Sequence, residues 1–373
     1  MAALLFSAIQ LNLAEQPTTE SIMDLYTRQK FAQRQALPLE AKIRMTMNRI
    51  RQAYDHFDGD VYLAYSGGKD SSVLKHIIAS MGLDIPSVFA NTGLEMPEVL
   101  ALVRSQPEVI QTKPVKNFKR VIEEDGFALI SKRAARQIRT LRGGRDGREN
   151  TYDLYDKGIT SSGHEAPSWK LANKWRYLIN ADIKISEACC NHLKKNPSQV
   201  YARETGRVGI TAMMAEEGGE RGSLTQCNNF DGNKPASHPM LFWRDADVWE
   251  YVEKYKVPIA SVYYHRIVDS EGNQIAYTQE GQKFLDTLAS LKPVGEFEDI
   301  GIYESASGER HYLVPPEKRT GCMFCMFGVH LEKGANRFQR MKLTHPRHWD
   351  TCINKLGLKK PLDLINVKYL PED

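Results

Sequence analysis

The run Val61-Tyr-Leu-Ala-Tyr-Ser-Gly-Gly-Lys-Asp-Ser-Ser-Val-Leu-Lys75 constrains the fold of this chain more than any other stretch. Val61 to Tyr65 has the short apolar composition of a buried parallel strand, and Ser72 to Met81 has a helical pattern. Ser66 to Ser71 must therefore make the turn between them. Two glycines there permit positive φ and close backbone approach, so consecutive N–H groups can form an anion nest. The helix that follows adds the positive end of its dipole and its unpaired N–H groups. Ser66, Ser71 and Ser72 supply hydroxyls and Lys69 a mobile positive charge, so the stretch predicts a phosphate cradle. A Walker A loop needs a longer spacer between its first glycine and the Gly-Lys-[Ser/Thr] triplet. The plain alternative is a Gly-Gly turn capped by Asp70 or Ser71 at a helix start.

The surroundings extend this pattern. Strands at Val61–Tyr65, Pro86–Ala90 and Val109–Thr112 alternate with helices at Ser72–Met81 and Met96–Ser105. Such alternation with short connections predicts an α/β fold with a doubly wound parallel sheet. Ligands in these sheets sit beyond the carboxyl ends of the strands, where Ser66–Ser71 would lie. The turn Ala90-Asn-Thr-Gly-Leu-Glu-Met-Pro-Glu98 falls on the same edge, with Asn91, Thr92 and Gly93 at its tip. Residues 1–57 read as an N-terminal helical segment, with helical spacing clearest from Leu39 to Tyr54. Residues 58–265 read as a nucleotide-binding domain and 266–373 as a smaller cysteine-bearing domain.

Composition excludes little. Apolar content of 42% and charged content of 26% suit a soluble globular chain of 373 residues, and a net charge of +4 makes local clustering matter more than the total. Met1–Ile9 is apolar but lacks a basic n-region, so it reads as a packed segment and not as a signal peptide. No apolar run approaches the ~20 residues of a membrane span. A cytoplasmic location without membrane contact is expected, and self-association is left open.

Six cysteines in so long a chain suit a reducing compartment and metal ligation better than a disulfide scaffold. Cys189 and Cys190 lie in tandem among lysines and His192; Cys322 and Cys325 form a Cys-x-x-Cys in a glycine-bearing turn. Four thiolates could ligate zinc or a [4Fe–4S] cluster, and neighbouring lysines would lower the thiol pKa values. Cys227 and Cys352 are alternative ligands; inert buried thiols are the plain reading. Lys132, Arg133, Arg136, Arg139, Arg142, Arg145 and Arg148 precede Tyr152, Tyr155, Trp169 and Trp175. That pattern suits a phosphate backbone with stacked bases as well as it suits a solvated helix face. Lys333, Arg337, Arg340, Lys342, His345, Arg347, His348 and Trp349 form a second such block with the same two readings.

The order Ser-Gly-Gly-Lys-Asp-Ser resembles the PP-loop of the ATP pyrophosphatase superfamily, whose members cleave ATP between the α and β phosphates. The resemblance implies an adenine nucleotide alpha hydrolase-like, HUP-type fold and is nearest to the phosphoadenylyl-sulfate reductase-like family and its DNA-phosphorothioation branch. It covers roughly residues 58–265 and 318–366. It implies that Ser66, Gly67, Gly68, Lys69, Asp70, Ser71 and Ser72 hold ATP with Mg²⁺, and that Asn91 and Thr92 lie near the adenosine. Asn91 stands where relatives commonly have Asp. Val208 to Arg221 is similar to the family strand ending in Gly-x-Arg-x-x-Glu-Ser-x-x-Arg: Glu217 and Arg221 match, while Ala212, Met214 and Gly218 replace Gly, Arg and Ser. Lys69, Asp70, Glu217 and Arg221 are thereby the candidate catalytic residues. The missing arginine removes a donor for sulfate or phosphate, against a standard sulfonucleotide substrate. His238 to Tyr251 is similar to the family's Pro-Leu-x-x-Trp-x-x-x-Asp-Val-Trp-x-Tyr block.

Tandem cysteines plus a remote Cys-x-x-Cys resemble the cluster arrangement of adenylylsulfate reductases, which implies a [4Fe–4S] cluster on Cys189, Cys190, Cys322 and Cys325. Three functions follow. The first is adenylylation of an acceptor for sulfur transfer, with DNA, tRNA or a sulfur-donor protein as partner. The second is reduction of a sulfonucleotide; it would need the cysteine nucleophile that such reductases carry near the C-terminus, and Leu364 to Asp373 holds none. The third is a non-catalytic nucleotide or redox sensor, which would bind ATP without acceptor-dependent release of pyrophosphate.

Overall fold

The computed structural model describes residues 19–231 and 235–371. The apolar stretch Met1–Ile9 lies outside them. Helices α1 (Thr19–Gln35) and α2 (Leu39–His56) come first. Then β1 (Val61–Tyr65), α3 (Lys69–Ser80), β2 (Ser87–Ala90), α4 (Pro97–Arg104) and β3 (Ile110–Thr112) follow in strict alternation. After α5 (Phe118–Glu124), α6 (Lys132–Arg142), α7 (Glu149–Asp156) and α8 (Asn196–Thr205), the chain returns to the sheet as β4 (Val208–Ile210), β5 (Asn228–Asn229) and β6 (Ala236–Ser237).

The sheet order is β3-β2-β1-β4-β6-β5. All neighbours are parallel except β5 against β6. The chain winds outwards from β1 to β2 and β3, then crosses to β4 on the other flank. The carboxyl end of β1 is therefore a topological switch point, the ligand position of doubly wound sheets. The sequence pattern for the α/β fold and its first three strands holds. Val61, Leu63 and Tyr65 are buried on one face of the strand, in a single core with Val73, Leu74 and Ile77 of α3 and Met240 to Trp243.

Helix α2 is locked to this core by polar contacts. The Trp243 indole donates to Thr46 Oγ1 at 2.8 Å, and Lys42, only 1% exposed, pairs with Asp247 at 2.5 Å at the start of α9 (Asp245–Tyr255). A buried charge of this kind is tolerated only with a partner.

Beyond α9 lies an antiparallel sheet that the sequence pattern does not announce. Strands β7 (Arg266–Asp269), β8 (Gln274–Tyr277), β9 (Lys292–Phe297), β10 (Ile300–Glu304) and β11 (Arg310–Val314) are ordered β8-β7-β11-β10-β9, with α10 (Gln282–Ala289) between β8 and β9. A last helical block begins with α11 (Arg337–Thr344). Its apolar side shares one core with residues 118–193: Phe118, Leu129, Ile138, Leu178 and Leu193 pack with Met326, Phe338, Cys352 and Leu362. Among the described residues no helix is long and apolar enough to cross a membrane.

Candidate functional site

Helix α3 starts at Lys69, three residues before the helical pattern suggests, so Lys69 and Asp70 belong to its first turn. The two glycines account for the difference. Gly67 takes φ +70° and Gly68 is the extended N-cap, so the whole reversal is finished before Lys69. A Cβ on Gly67 would stand 2.7 Å from Val99 Cγ1, so packing against α4 also requires glycine here. An acidic residue in the first turn is favoured by the helix dipole.

Hydroxyls fill the cradle. Ser66 N donates to Ser71 Oγ at 3.2 Å, Gly68 N to Ser66 Oγ at 3.3 Å and Lys69 N to Tyr263 OH at 3.1 Å. Ser71 Oγ donates to Gly68 O at 2.9 Å, while Ser72 pairs with Tyr65 OH. Tyr263 OH is in turn 2.7 Å from Thr320 Oγ1. These hydroxyls occupy the amide nest at distances that a phosphate oxygen could replace.

Lys69 is 4% exposed and contacts Asp70 at 2.7 Å and Asp245 at 2.5 Å. Burial alone would lower its pKa; Asp70 and Asp245 outweigh it and raise the pKa, so the ammonium stays charged. Asp245 is in turn held by its backbone N–H, which donates to Glu216 at 2.6 Å. A cleft of about 660 Å³ opens here, lined by Lys69, Asp70, Glu216, Glu217, Asp245 and Arg319 among others. Glu217 pairs with Arg221 and lies 3.5 Å from Arg319. Thus four residues singled out from the sequence, Lys69, Asp70, Glu217 and Arg221, come to one neighbourhood. Asp245, Tyr263, Thr320 and Arg319 join them. The conspicuous aromatic spacing of residues 238–251 and the Thr-Gly before Cys322 were the available signals for these additions.

Asn91 and Thr92 fold their own loop. Asn91 Oδ1 accepts from Gly93 N at 3.1 Å, and Thr92 Oγ1 donates to Glu95 at 2.6 Å. The crevice beyond β1 and β2, about 170 Å³, is lined instead by Ser66, Ala90, Glu95 and Val99, and on its far side by Lys194, Thr320 and Gly321.

Lys194 leads to the cysteines. Cys189 and Cys190 open the helical run that continues through a π-turn, Asn191–Lys195, into α8. Such π-bulges frequently mark functional positions. Two single β-bridges draw the distant segments together: Phe127 pairs with Ile185, and Ile130 pairs with Phe327. Gly126, at φ +100°, allows the first approach, because a Cβ there would lie 2.4 Å from the Lys184 carbonyl carbon.

Cys189, Cys190, Cys322 and Cys325 consequently lie close enough to perturb one another's ionisation. The hydrogen bond from Cys189 draws the Cys190 thiol down to about 6 against its burial, helped by Lys132, Lys194 and Lys195; its partner Cys189 is pushed up. Burial pushes Cys322 up to about 11, opposed by Lys194, and raises Cys325 against Arg337. The soft donor set, flanked by Lys132, Lys194, Lys195 and Arg337, could hold an iron–sulfur cluster. Among the described residues no group of three or more His, Cys, Asp or Glu has the spacing of a bound metal ion. Cys227 lies apart in the core of the parallel sheet, and Cys352 is fully buried.

The basic run after Ser131 is largely spent on the fold. Arg136 and Arg139 pair with Glu187 at 3.2 and 2.7 Å, two residues before Cys189. Arg142 caps the carbonyls of Leu178, Ile179, Ala181 and Ile183, Arg145 pairs with Asp153 at 2.5 Å, and Arg133 stacks on Trp169.

Comparison with known proteins bears on one part of this architecture. Residues 60–136, from the start of β1 to the middle of α6, match the family described as phosphoadenosine phosphosulfate reductase domain. No curated protein matches the chain. Among solved structures, a phosphoadenylyl-sulfate reductase from Candida auris in complex with phosphate is 16% identical over 58% of this chain and 82% of its own length. Its TM-score of 0.34 denotes a loose superposition on which nothing further rests.

Proposed function

From residues 60–136, which match the phosphoadenosine phosphosulfate reductase domain family, we propose an enzyme that cleaves ATP between its α and β phosphates to adenylylate an acceptor for sulfur transfer. The observation that carries the reading is the loop after β1. It keeps Ser-Gly-Gly-Lys-Asp-Ser unaltered, and its lysine is buried yet held charged between Asp70 and Asp245.

The phosphates would displace the hydroxyls of Ser66, Ser71 and Tyr263 from the amides of the nest. Mg²⁺ takes one or two carboxylates together with substrate phosphates and water. Asp70 and Asp245 fit that role, and engaging them would turn Lys69 towards the phosphates. An acceptor oxygen then forms a bond to the α phosphorus while the bridging α–β P–O bond breaks. The electron pair leaves with pyrophosphate, whose growing charge Lys69 would meet; Mg²⁺, if held by Asp70 and Asp245, would supply further positive charge there. Arg221 and Arg319, both held by Glu217, keep further positive charge beside the cleft. Cys189, Cys190, Cys322 and Cys325 would hold a [4Fe–4S] cluster, which when bound supplies electrons or a sulfur atom. A nucleic acid is the acceptor class that suits the reading.

The family match also favours a second reading, reduction of phosphoadenylyl sulfate. Its thiol nucleophile would have to be Cys352, which is fully buried and pushed up by that burial. Equilibrium binding of Mg–ATP against phosphoadenylyl sulfate, on anaerobically purified protein with iron and sulfide quantified, separates the two. Adenylylation requires preference for ATP and a loss of about tenfold or more in affinity in Lys69→Ala. Preference for the sulfonucleotide overturns it.

A further inference from the structure

A cavity beside the nucleotide crevice is formed, apart from Met96, by residues outside the family-matched segment. It measures about 690 Å³ and is bounded by Arg266 at the start of β7, the segment Pro315–Met323, and Leu331 to His345. That volume is in the range of small-molecule sites. We propose that this cavity binds a second phosphate ester of nucleotide size, the co-substrate that meets the activated nucleotide; this rests on the adenylylation reading.

Charge is the first argument. Arg266, Lys318, Arg319, Lys333, Arg337 and Arg340 line the cavity, against Asp299, Glu317 and Glu332. Several of these cations are committed: Arg266 to Glu98 at 2.6 Å, Arg340 to Glu317 at 3.1 Å and Arg337 to Glu332. Lys318 and Lys333 are exposed and form no ion pair or hydrogen bond with any described residue. Two ammonium groups at the rim of a concave, cation-rich wall raise the local concentration of anions.

The second argument is a buried donor without an acceptor. Arg266 is 1% exposed; one guanidinium nitrogen reaches Glu98, while its Nε has no partner among the described residues. Arg266 lines the cavity, and Glu98 answers its charge through one nitrogen, leaving a buried donor unpaired in this wall.

Position is the third. Thr320 and Gly321 form part of this wall and also part of the crevice beyond β1. Glu317, Lys318 and Arg319 belong both to it and to the cleft that holds Lys69. Cys322 lines it as well. A phosphate ester seated here is therefore one strand of backbone away from both the phosphate cradle and the thiols.

The phosphate ester could come from a free nucleotide or from a nucleic-acid strand, and the test distinguishes them. Thymidine 5′-monophosphate and a ten-residue oligothymidylate are titrated separately into the full chain, wild type and Lys333→Glu, at several salt concentrations. ATP is titrated alongside. The expected result is a loss of roughly tenfold in affinity for one or both probes in Lys333→Glu, a salt slope reduced by about one for the strand, and unchanged ATP affinity. A loss confined to the oligonucleotide assigns the strand as source; a loss confined to the monophosphate assigns a free nucleotide. The proposal is overturned if neither probe binds the wild type, or if both bind Lys333→Glu as well as the wild type. Failure of ATP to bind, with the Lys333→Glu effect intact, would remove the adenylylation reading and leave the cavity standing.

Discussion

Gly67 carries two demands that no other residue meets, a left-handed φ and a gap too narrow for a methyl group between β1 and Val99. Gly67→Ala should cost about 1–3 kcal/mol in urea unfolding and weaken ATP binding along with it, because the nest amides turn with the backbone. Wild-type stability in that variant would refute the packing argument. Glu98 makes the second prediction at this scale. Burial would raise its pKa, but the hydrogen bond from His345 and the Arg266 charge prevail and depress it to about 2. An unfolded chain takes up this proton near pH 4.5, the folded one only near 2. The group therefore contributes stability above that window, on the order of 3 kcal/mol, which is lost as pH falls through it. Glu98→Gln should be less stable at neutral pH and flatter between pH 4.5 and 2 in acid unfolding. Glycines and the loop lysine were legible in the sequence because each is a local requirement. Asp245, Tyr263 and Arg266 were not, since their roles come from partners 168 to 194 residues away.

Two kinds of element fared differently under sequence reading. β1, β2 and β3 are apolar runs punctuated by turns, and a buried parallel sheet needs little else. The antiparallel sheet of β7–β11 escaped because its strands do not look buried: β9 is Lys-Pro-Val-Gly-Glu-Phe and nearly all exposed. Its identity comes from pairing with β10, not from alternation. The cysteine neighbourhood depends on still weaker elements, the single bridges Phe127–Ile185 and Ile130–Phe327. Gly126→Val should therefore separate the two cysteine pairs by pushing residue 184 away. In the reduced protein, dibromobimane should link Cys189 or Cys190 to Cys322 or Cys325, as read by peptide mass mapping. That link should be lost in Gly126→Val while the helical circular dichroism persists. Equal cross-linking in both proteins would mean that the bridges do not set the approach.

At the scale of the whole molecule, the segment Pro315–Cys322 ties the parts together. Glu317 N donates to Val262 O at 2.8 Å, Thr320 reaches Tyr263 over the phosphate loop, and Met323 N donates to Leu94 O at 2.8 Å. Arg337, from α11, donates to Cys325 O at 3.0 Å. One stretch of chain thus touches the nucleotide cradle, the crevice beyond β2 and the thiols. It is held by a few hydrogen bonds and exposes Lys318 and Arg319 to solvent. Ligand bound in the cradle should stabilise these contacts by mass action, by about 2.7 kcal/mol at a hundredfold excess over Kd. Limited trypsin digestion reads this directly, because cleavage after Lys318 or Arg319 requires the segment to lift. Mg–ATP should slow that cut severalfold in the wild type and leave it unchanged in Lys69→Ala. Thr320→Val should be cut faster without nucleotide, since the segment then loses its hydrogen bond to Tyr263. Protection that persists in Lys69→Ala would place the nucleotide outside the Ser66–Ser72 cradle, and with it the chemistry proposed here.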